Sequence, residues 1–176
     1  LYGHPFNVDA FQALAAKHNL MIFEAINCAQ PGDILVLSAG NNPQQGGFGD
    51  VLASACMGRG IKALIIDAGV RDGRGLRKSG FPVFCLGLSI KGTSKETLGS
   101  VNQPVVIGGE LISPGDIVVA DDDGVVVVRK DPVELAAACQ RREDAEAAMI
   151  ESHMRGVLTF DERYESIRNK GATYVD

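Results

Sequence analysis

The stretch GGFGDVLASACMGRGIKALIIDAGVRDGRG, residues 46–75, packs a glycine loop, a helix, a buried strand and a terminal Arg-Asp pair into one βα-type unit. Gly46, Gly47 and Gly49 free the backbone to approach a ligand. The run from Asp50 to Arg59 then reads as a helix, with Val51, Leu52, Ala55 and Cys56 at helical spacing. A loop that opens a helix can present N–H groups to an anion. After Gly60 comes Ala63-Leu64-Ile65-Ile66-Asp67, a short apolar run of the kind buried on both faces of a sheet. Arg71 and Asp72 follow its carboxyl end, where α/β sheets commonly bind ligands.

Outward from that unit, the chain reads as alternating helices and strands. Val8 to Lys17 is a plausible helix capped by Asn7, and Asn19 to Gln30 a second one, stopped by Pro31-Gly32-Asp33. Ile34 to Leu37 is a strand, and the polar stretch Ser38 to Gln45 is a loop into the central unit. Pro82 to Gly87, Val105 to Ile107, Ile117 to Val119 and Val125 to Val128 are further strands, the last two joined by an acidic turn at residues 121–123. That turn lacks the spaced ligands of a calcium loop. PGDILVLSAG at Pro31 and PGDIVVADDDG at Pro114 are near copies, each marking one turn-plus-strand device in which Pro fixes φ, Gly takes an unusual angle and Asp caps the turn. Pro132 to Met154 is one long helix ended by Gly156. Helices at both ends around β-rich sections predict an α/β fold of two sheets and helices in three layers.

Composition bounds the functional classes. The 176 residues suit a single domain, 1–176, able to bury roughly 70% of its unfolded surface. A hydrophobic share of 45% with no Trp predicts a core of Val, Ile, Leu and Ala. The net charge of −5 supplies no basic excess for phosphate-backbone binding, so nucleic acid is not an expected partner. Cys28, Cys56, Cys85 and Cys139 form no CxxC pair, which argues against zinc and predicts buried thiols in a reducing cytoplasm. His4, His18 and His153 follow no metal-ligand spacing. No apolar run reaches bilayer length, so no membrane association is expected.

Asp50, twenty intervening residues and then Arg71-Asp72, flanked by GGFGDVLA and IDAGVRD, resembles the signature of class II pyruvate aldolases. The chain is similar to the 4-hydroxy-4-methyl-2-oxoglutarate and 4-carboxy-4-hydroxy-2-oxoadipate aldolases, whose fold is shared with the regulator of ribonuclease activity A family. The resemblance runs from about Asn19 onward and includes NLMIFEAI, AQPGDILVLSAG, PVVIGGELISPGDIVVADDDGVVVV and RGVLTFDERY. It implies a ββα sandwich of swivelling-domain type with N- and C-terminal helices, assembled as a homotrimer or homohexamer.

The resemblance also implies a site. The amides of Gly49, Asp50, Val51 and Leu52 would hold the carboxylate of a pyruvyl group. Arg71 would contact the keto or enolate oxygen, Asp72 would bind Mg²⁺ or Mn²⁺ largely through water, and Asp50 would position a water on the metal. An acidic residue from a neighbouring subunit would approach the metal, with Glu146 in REDAEAAM the best match and Glu143 the runner-up. The residue chemistry agrees with metal, since the unit offers no Schiff-base lysine beyond Lys62 at a strand start. One carboxylate plus waters is normal for Mg²⁺, and a guanidinium fork suits a carboxylate or enolate oxygen. An Arg-Asp pair after a strand is otherwise commonly a solvated turn or a structural ion pair, and a charged helix face is commonly just solvated. The expected reaction is retro-aldol cleavage of a 4-hydroxy-2-oxo acid to pyruvate, with oxaloacetate decarboxylation as a related activity. The rival is a non-catalytic regulator that docks on a ribonuclease. A methyltransferase reading finds no glycine-rich nucleoside motif after the first strand.

Overall fold

A computed structural model of the chain describes residues 21–93, 99–157 and 160–173, with the side chains of 161–163 outside that set. The helix expected over Val8 to Lys17 lies outside the described residues. The chain divides into two compact units, Leu1–Val128 and Arg129–Asp176.

In the first unit, α1 (Met21–Cys28) leads to β1 (Ile34–Phe48), α2 (Asp50–Arg59), β2 (Ala63–Val70), α3 (Gly73–Ser79), and the short strands β3 (Val83–Phe84) and β4 (Gly87–Leu88). Two hairpins follow: β5 (Val105–Ile107) with β6 (Glu110–Ile112), and β7 (Ile117–Asp121) with β8 (Gly124–Val128). Strand β2 is central, paired in parallel with β1, β3 and β4, and every one of its residues is buried. Its side chains alternate between two cores, as the pleat requires. Leu64, Ile66, Ala68 and Val70 join Ala25, Ile26, Leu52, Ala53, Cys56 and Leu76 from the helices, while Ile65 joins Val36, Ile112 and the inward residues of the hairpins. Helices, parallel sheet and hairpins thus form the expected layers of a mixed α/β fold.

The two PGD segments fold alike. The amide of Gln30 donates to Asp33 Oδ2 at 2.8 Å and Asp33 N–H returns to the Gln30 carbonyl at 3.1 Å. Ser113 and Asp116 repeat both bonds at 2.9 and 3.0 Å. Gly32 and Gly115 carry φ of 102° and 90°, angles that a side chain rarely adopts. Each turn releases the chain into a strand, β1 or β7, at the following residue.

Sequence reading misplaced the end of β1. The segment expected as a loop over Ser38 to Gln45 stays on the sheet path, because β1 continues to Phe48 through three register shifts against β2. Asp67, 5% exposed, explains how. Its carboxylate accepts from the Ser38 hydroxyl (3.1 Å) and from the amides of Ala39 and Asn41 (the latter at 3.2 Å), two backbone donors that the bulge removes from the ladder. Asp67→Ala should cost about 2 kcal/mol, since three donors lose their acceptor. Urea unfolding measures it, and a loss below about 0.5 kcal/mol, the range of an ordinary surface change, would show that water replaces the carboxylate freely.

The second unit contains α4 (Pro132–Met154) and α5 (Asp161–Asn169). Asp131 caps α4 by accepting from the amides of Val133 and Glu134, both at 2.9 Å, and Gly156 follows its end with φ 82°. No residue of α4 is buried. The expectation of four buried thiols therefore fails for Cys139, which is exposed on α4, and Cys28 and Cys85 are half-buried. Cys56 alone is fully buried. No helix among the described residues is long and apolar enough to cross a membrane.

Candidate functional site

The glycine loop and the Arg-Asp pair meet because β1 and β2 end together. Phe48, fully buried, closes β1 opposite Val70, and the Arg71 amide donates to the Phe48 carbonyl at 2.8 Å. Arg71 then turns its side chain back along the loop, where Nη1 donates to the Gly46 carbonyl at 2.8 Å. Its Nε lies 3.6 Å from Asp72 Oδ2, a loose ion pair with the two side chains 36% and 41% exposed. A pair that open is worth little to stability.

Helix α2 starts at Asp50 with Gly49 in the N-cap position, and no side chain caps it. Ala53 N–H makes the first helical bond, to the Gly49 carbonyl at 3.0 Å, so the amides of Asp50, Val51 and Leu52 precede the hydrogen-bonded ladder. They form an anion-attracting end. Gly49 itself is extended, with φ −151°, and what excludes a side chain there is proximity. A Cβ would lie 2.2 Å from Asp72 Oδ2 and 3.0 Å from Arg71 Cγ. Gly46 is confined in the same way, since a Cβ there would lie 2.2 Å from the Ser89 carbonyl oxygen and 3.1 Å from Arg71 Cβ.

Asp72 occupies the left-handed region, φ 57° and ψ 34°, uncommon for any residue with a side chain, although Asp and Asn adopt it more readily than the rest. It stands at the N-cap of α3, a helix that sequence reading missed, yet its side chain makes no capping bond. Its carboxylate instead faces the space beside Gly49. The Asp50 carboxylate lies over the first turn of α3, 2.6 Å from where a Gly75 side chain would begin. Asp50, Arg71, Asp72 and the start of α2 therefore converge at the carboxyl ends of β1 and β2.

Glu146 lies in the second unit, on α4, where it accepts from Arg142 Nε at 2.7 Å with both side chains largely exposed. Glu143 is exposed on the same helix. Among the described residues no group of three His, Cys, Asp or Glu side chains gathers as a metal cluster. Two cavities in the first unit, about 280 and 540 Å³, are lined by the PGD turns and by the hairpins and β2 to β3 respectively, not by Arg71 or Asp72. Cys56, on the inner face of α2, is fully buried, and burial pushes its thiol up to about 11, which disfavours the thiolate.

The family model for RraA-like proteins, described as Aldolase/RraA, matches residues 1–127. A protein of Halalkalibacterium halodurans, provisionally named a 4-hydroxy-4-methyl-2-oxoglutarate aldolase, is 35% identical over 136 residues, which cover 76% of this chain and 65% of that protein. The match thus spans just under two thirds of that relative's length. Crystal structures agree. An uncharacterized protein from Pseudomonas syringae pv. tomato superposes with a TM-score of 0.64 at 31% identity, over 74% of this chain and 66% of that one. Streptomyces coelicolor RraAS2, described as an unusual member of the RNase ES inhibitor RraA protein family, gives 0.63 at 32% identity, over 77% and 69%. With its sheet order, glycine loop and Arg-Asp pair already in place, the chain belongs to the RraA-like, Aldolase/RraA family.

Proposed function

We propose that this protein cleaves a 4-hydroxy-2-oxo di- or tricarboxylic acid to pyruvate and a second keto acid, as a divalent-metal-dependent lyase that also decarboxylates oxaloacetate. The observation that carries this reading is the convergence of uncapped α2 amides, the Arg71 guanidinium and an Asp72 carboxylate held only by a loose ion pair to Arg71, at the carboxyl ends of β1 and β2. The amides of Gly49, Asp50, Val51 and Leu52 bind the pyruvyl carboxylate. Arg71 donates to the keto oxygen and holds it more tightly as negative charge develops there. Breaking the C3–C4 bond leaves its electron pair on the pyruvyl half as an enolate, the 4-hydroxyl proton passes to a water oriented by Asp50, and protonation at C3 completes pyruvate.

Asp72 is the residue that fits Mg²⁺ or Mn²⁺, since its carboxylate is free of capping and faces the gap that Gly49 leaves. A single carboxylate suits an ion that keeps most of its water shell. Such an ion would supply Lewis-acid stabilisation of the developing oxyanion. Glu146 of a neighbouring subunit would add a second carboxylate, in a homotrimer or homohexamer. Val51, Leu88 and Ile90, 72%, 62% and 98% exposed, give the first unit apolar surface around the site for such contacts. The free thiols are in keeping with a cytoplasmic setting.

The test is pyruvate release from oxaloacetate and from a 4-hydroxy-4-methyl-2-oxo diacid, with Mg²⁺ or Mn²⁺ and then with EDTA. Turnover should require the metal, and Asp72→Asn should raise the metal concentration needed at least about tenfold while the protein stays folded. A covalent adduct trapped by borohydride with pyruvate, or turnover indifferent to exhaustive chelation, would end the metal assignment. The likeness to RraAS2 supports a second reading, a regulator that docks on a ribonuclease. Absence of turnover on either substrate together with binding to a ribonuclease would favour it.

A further inference from the structure

We infer that Ser89 is a positioning residue that sets the Arg71 guanidinium through the Gly46 carbonyl, an inference that rests on the proposed role of Arg71. Ser89 follows β4 and is half-buried, and it is tied on every side to the two strands that build the site. Its amide donates to the Val70 carbonyl at 2.9 Å, one residue before Arg71. Its hydroxyl donates to the Gln44 carbonyl at 2.7 Å, two residues before Gly46, and accepts from the Lys91 amide at 3.3 Å. Lys91 in turn accepts from the Gly46 amide through its carbonyl at 2.8 Å. The Ser89 carbonyl fills the space a Gly46 side chain would need.

Gly46 is thus held from one side by the strap Ser89 to Lys91 and from the other by Arg71, whose Nη1 uses the Gly46 carbonyl as its anchor. The backbone bonds of this strap can form with any residue at position 89, but the bond to Gln44 needs a hydroxyl. Without it, the Gln44 to Gly46 segment keeps its main-chain bonds, the Gln44 amide bond to Asn42 Oδ1 at 3.1 Å and the Arg71 bond itself, but loses its side-chain tie to the strap, and the acceptor that orients the guanidinium moves more freely. The start of α2 has its own restraint, the Ala53 to Gly49 bond. Binding of a carboxylate there should therefore suffer less than the orientation of Arg71.

Amide hydrogen exchange and steady-state kinetics on the full chain test this together. In Ser89→Ala the Gly46 and Arg71 amides should exchange about tenfold faster while amides in the middle of β2 stay protected. kcat for pyruvate release should fall about tenfold with KM changed less than about threefold, the size expected for one lost hydrogen bond that matters in the transition state. Ser89→Thr should restore both. In an Arg71→Ala background, Ser89→Ala should have no further effect on kcat, because the residue it acts through is gone. Unchanged exchange at Gly46 and Arg71, faster exchange throughout β2, or a kcat loss that persists in the Arg71→Ala background would each overturn the inference. If the wild-type protein releases no pyruvate, the aldolase reading fails, and the exchange pattern of Ser89→Ala and Ser89→Thr still decides whether the hydroxyl holds the loop.

Discussion

Arg71→Ala should lower kcat for pyruvate release by about a hundredfold or more and leave the protein folded. The size of the effect follows from when the contact matters. A donor aimed at an oxygen that becomes negative during bond cleavage contributes little to substrate binding and much to the barrier, so its removal appears in kcat before KM. Folding should tolerate the change because the side chain is partly exposed and its ion pair with Asp72 is loose, while the backbone bond from Arg71 to Phe48 does not depend on the side chain. Arg71→Lys keeps the charge but loses the fork, which here divides between the Gly46 carbonyl and Asp72, and should recover only part of the rate. A rise in KM alone would make Arg71 a carboxylate anchor. Loss of folding would make the bond to Gly46 its main purpose.

The elements that sequence reading located correctly are those whose signal is local. Both PGD turns were readable because proline, glycine and aspartate each contribute a backbone property that survives in any context, and the bonds made by Asp33 and Asp116 confirm the device twice. Pro132 to Met154 was readable for the same reason, with Asp131, Pro132 and Gly156 marking its ends. The buried strand ending before Arg71 was readable from apolar content, whereas the grouping of Asp50 with Arg71 and Asp72 came from the family resemblance. What escaped depends on partners distant in sequence. The continuation of β1 through Ser38 to Gln45 relies on the buried Asp67, nearly thirty residues away in the chain, and a polar stretch rich in Gly, Asn and Gln carries no trace of that acceptor. The one available hint was an aspartate inside an otherwise apolar strand. Helix α3 escaped because GRGLRKS contains two glycines, poor helix formers, and is held by Leu76 in the helical core and by the Leu76 amide bond to the Asp72 carbonyl. The Gly46 carbonyl escaped as a functional group because sequence reading assigns glycines mobility, whereas this one is fixed from both sides.

Gly49→Ala should be as damaging as loss of Arg71, for a reason that is steric and not conformational. Alanine can adopt φ −151° without strain, so the backbone can stay where it is, at a cost near 1 kcal/mol for a poorer N-cap. The new methyl cannot stay where it is. It would sit 2.2 Å from Asp72 Oδ2, 3.0 Å from Arg71 Cγ and 3.2 Å from its Nε, all well inside contact distance. Arg71 is tethered at its amide to Phe48 and at its guanidinium to Gly46, so the freer Asp72 carboxylate is the group that yields. It swings away from the gap in which a divalent ion would sit, while the methyl enters the space a substrate carboxylate needs to reach the amides of α2. Both consequences fall on the reaction, and kcat/KM should drop about a hundredfold or more with a raised metal requirement, while thermal unfolding shifts by only a few degrees. Gly47→Ala supplies the comparison. Its Cβ would meet nothing closer than Thr93 Cγ2 at 3.6 Å, an ordinary contact, and it should keep activity within a few-fold. If Gly49→Ala is no worse than Gly47→Ala, then Asp72 relaxes without consequence, and neither its unusual backbone angle nor its place beside Gly49 serves the metal.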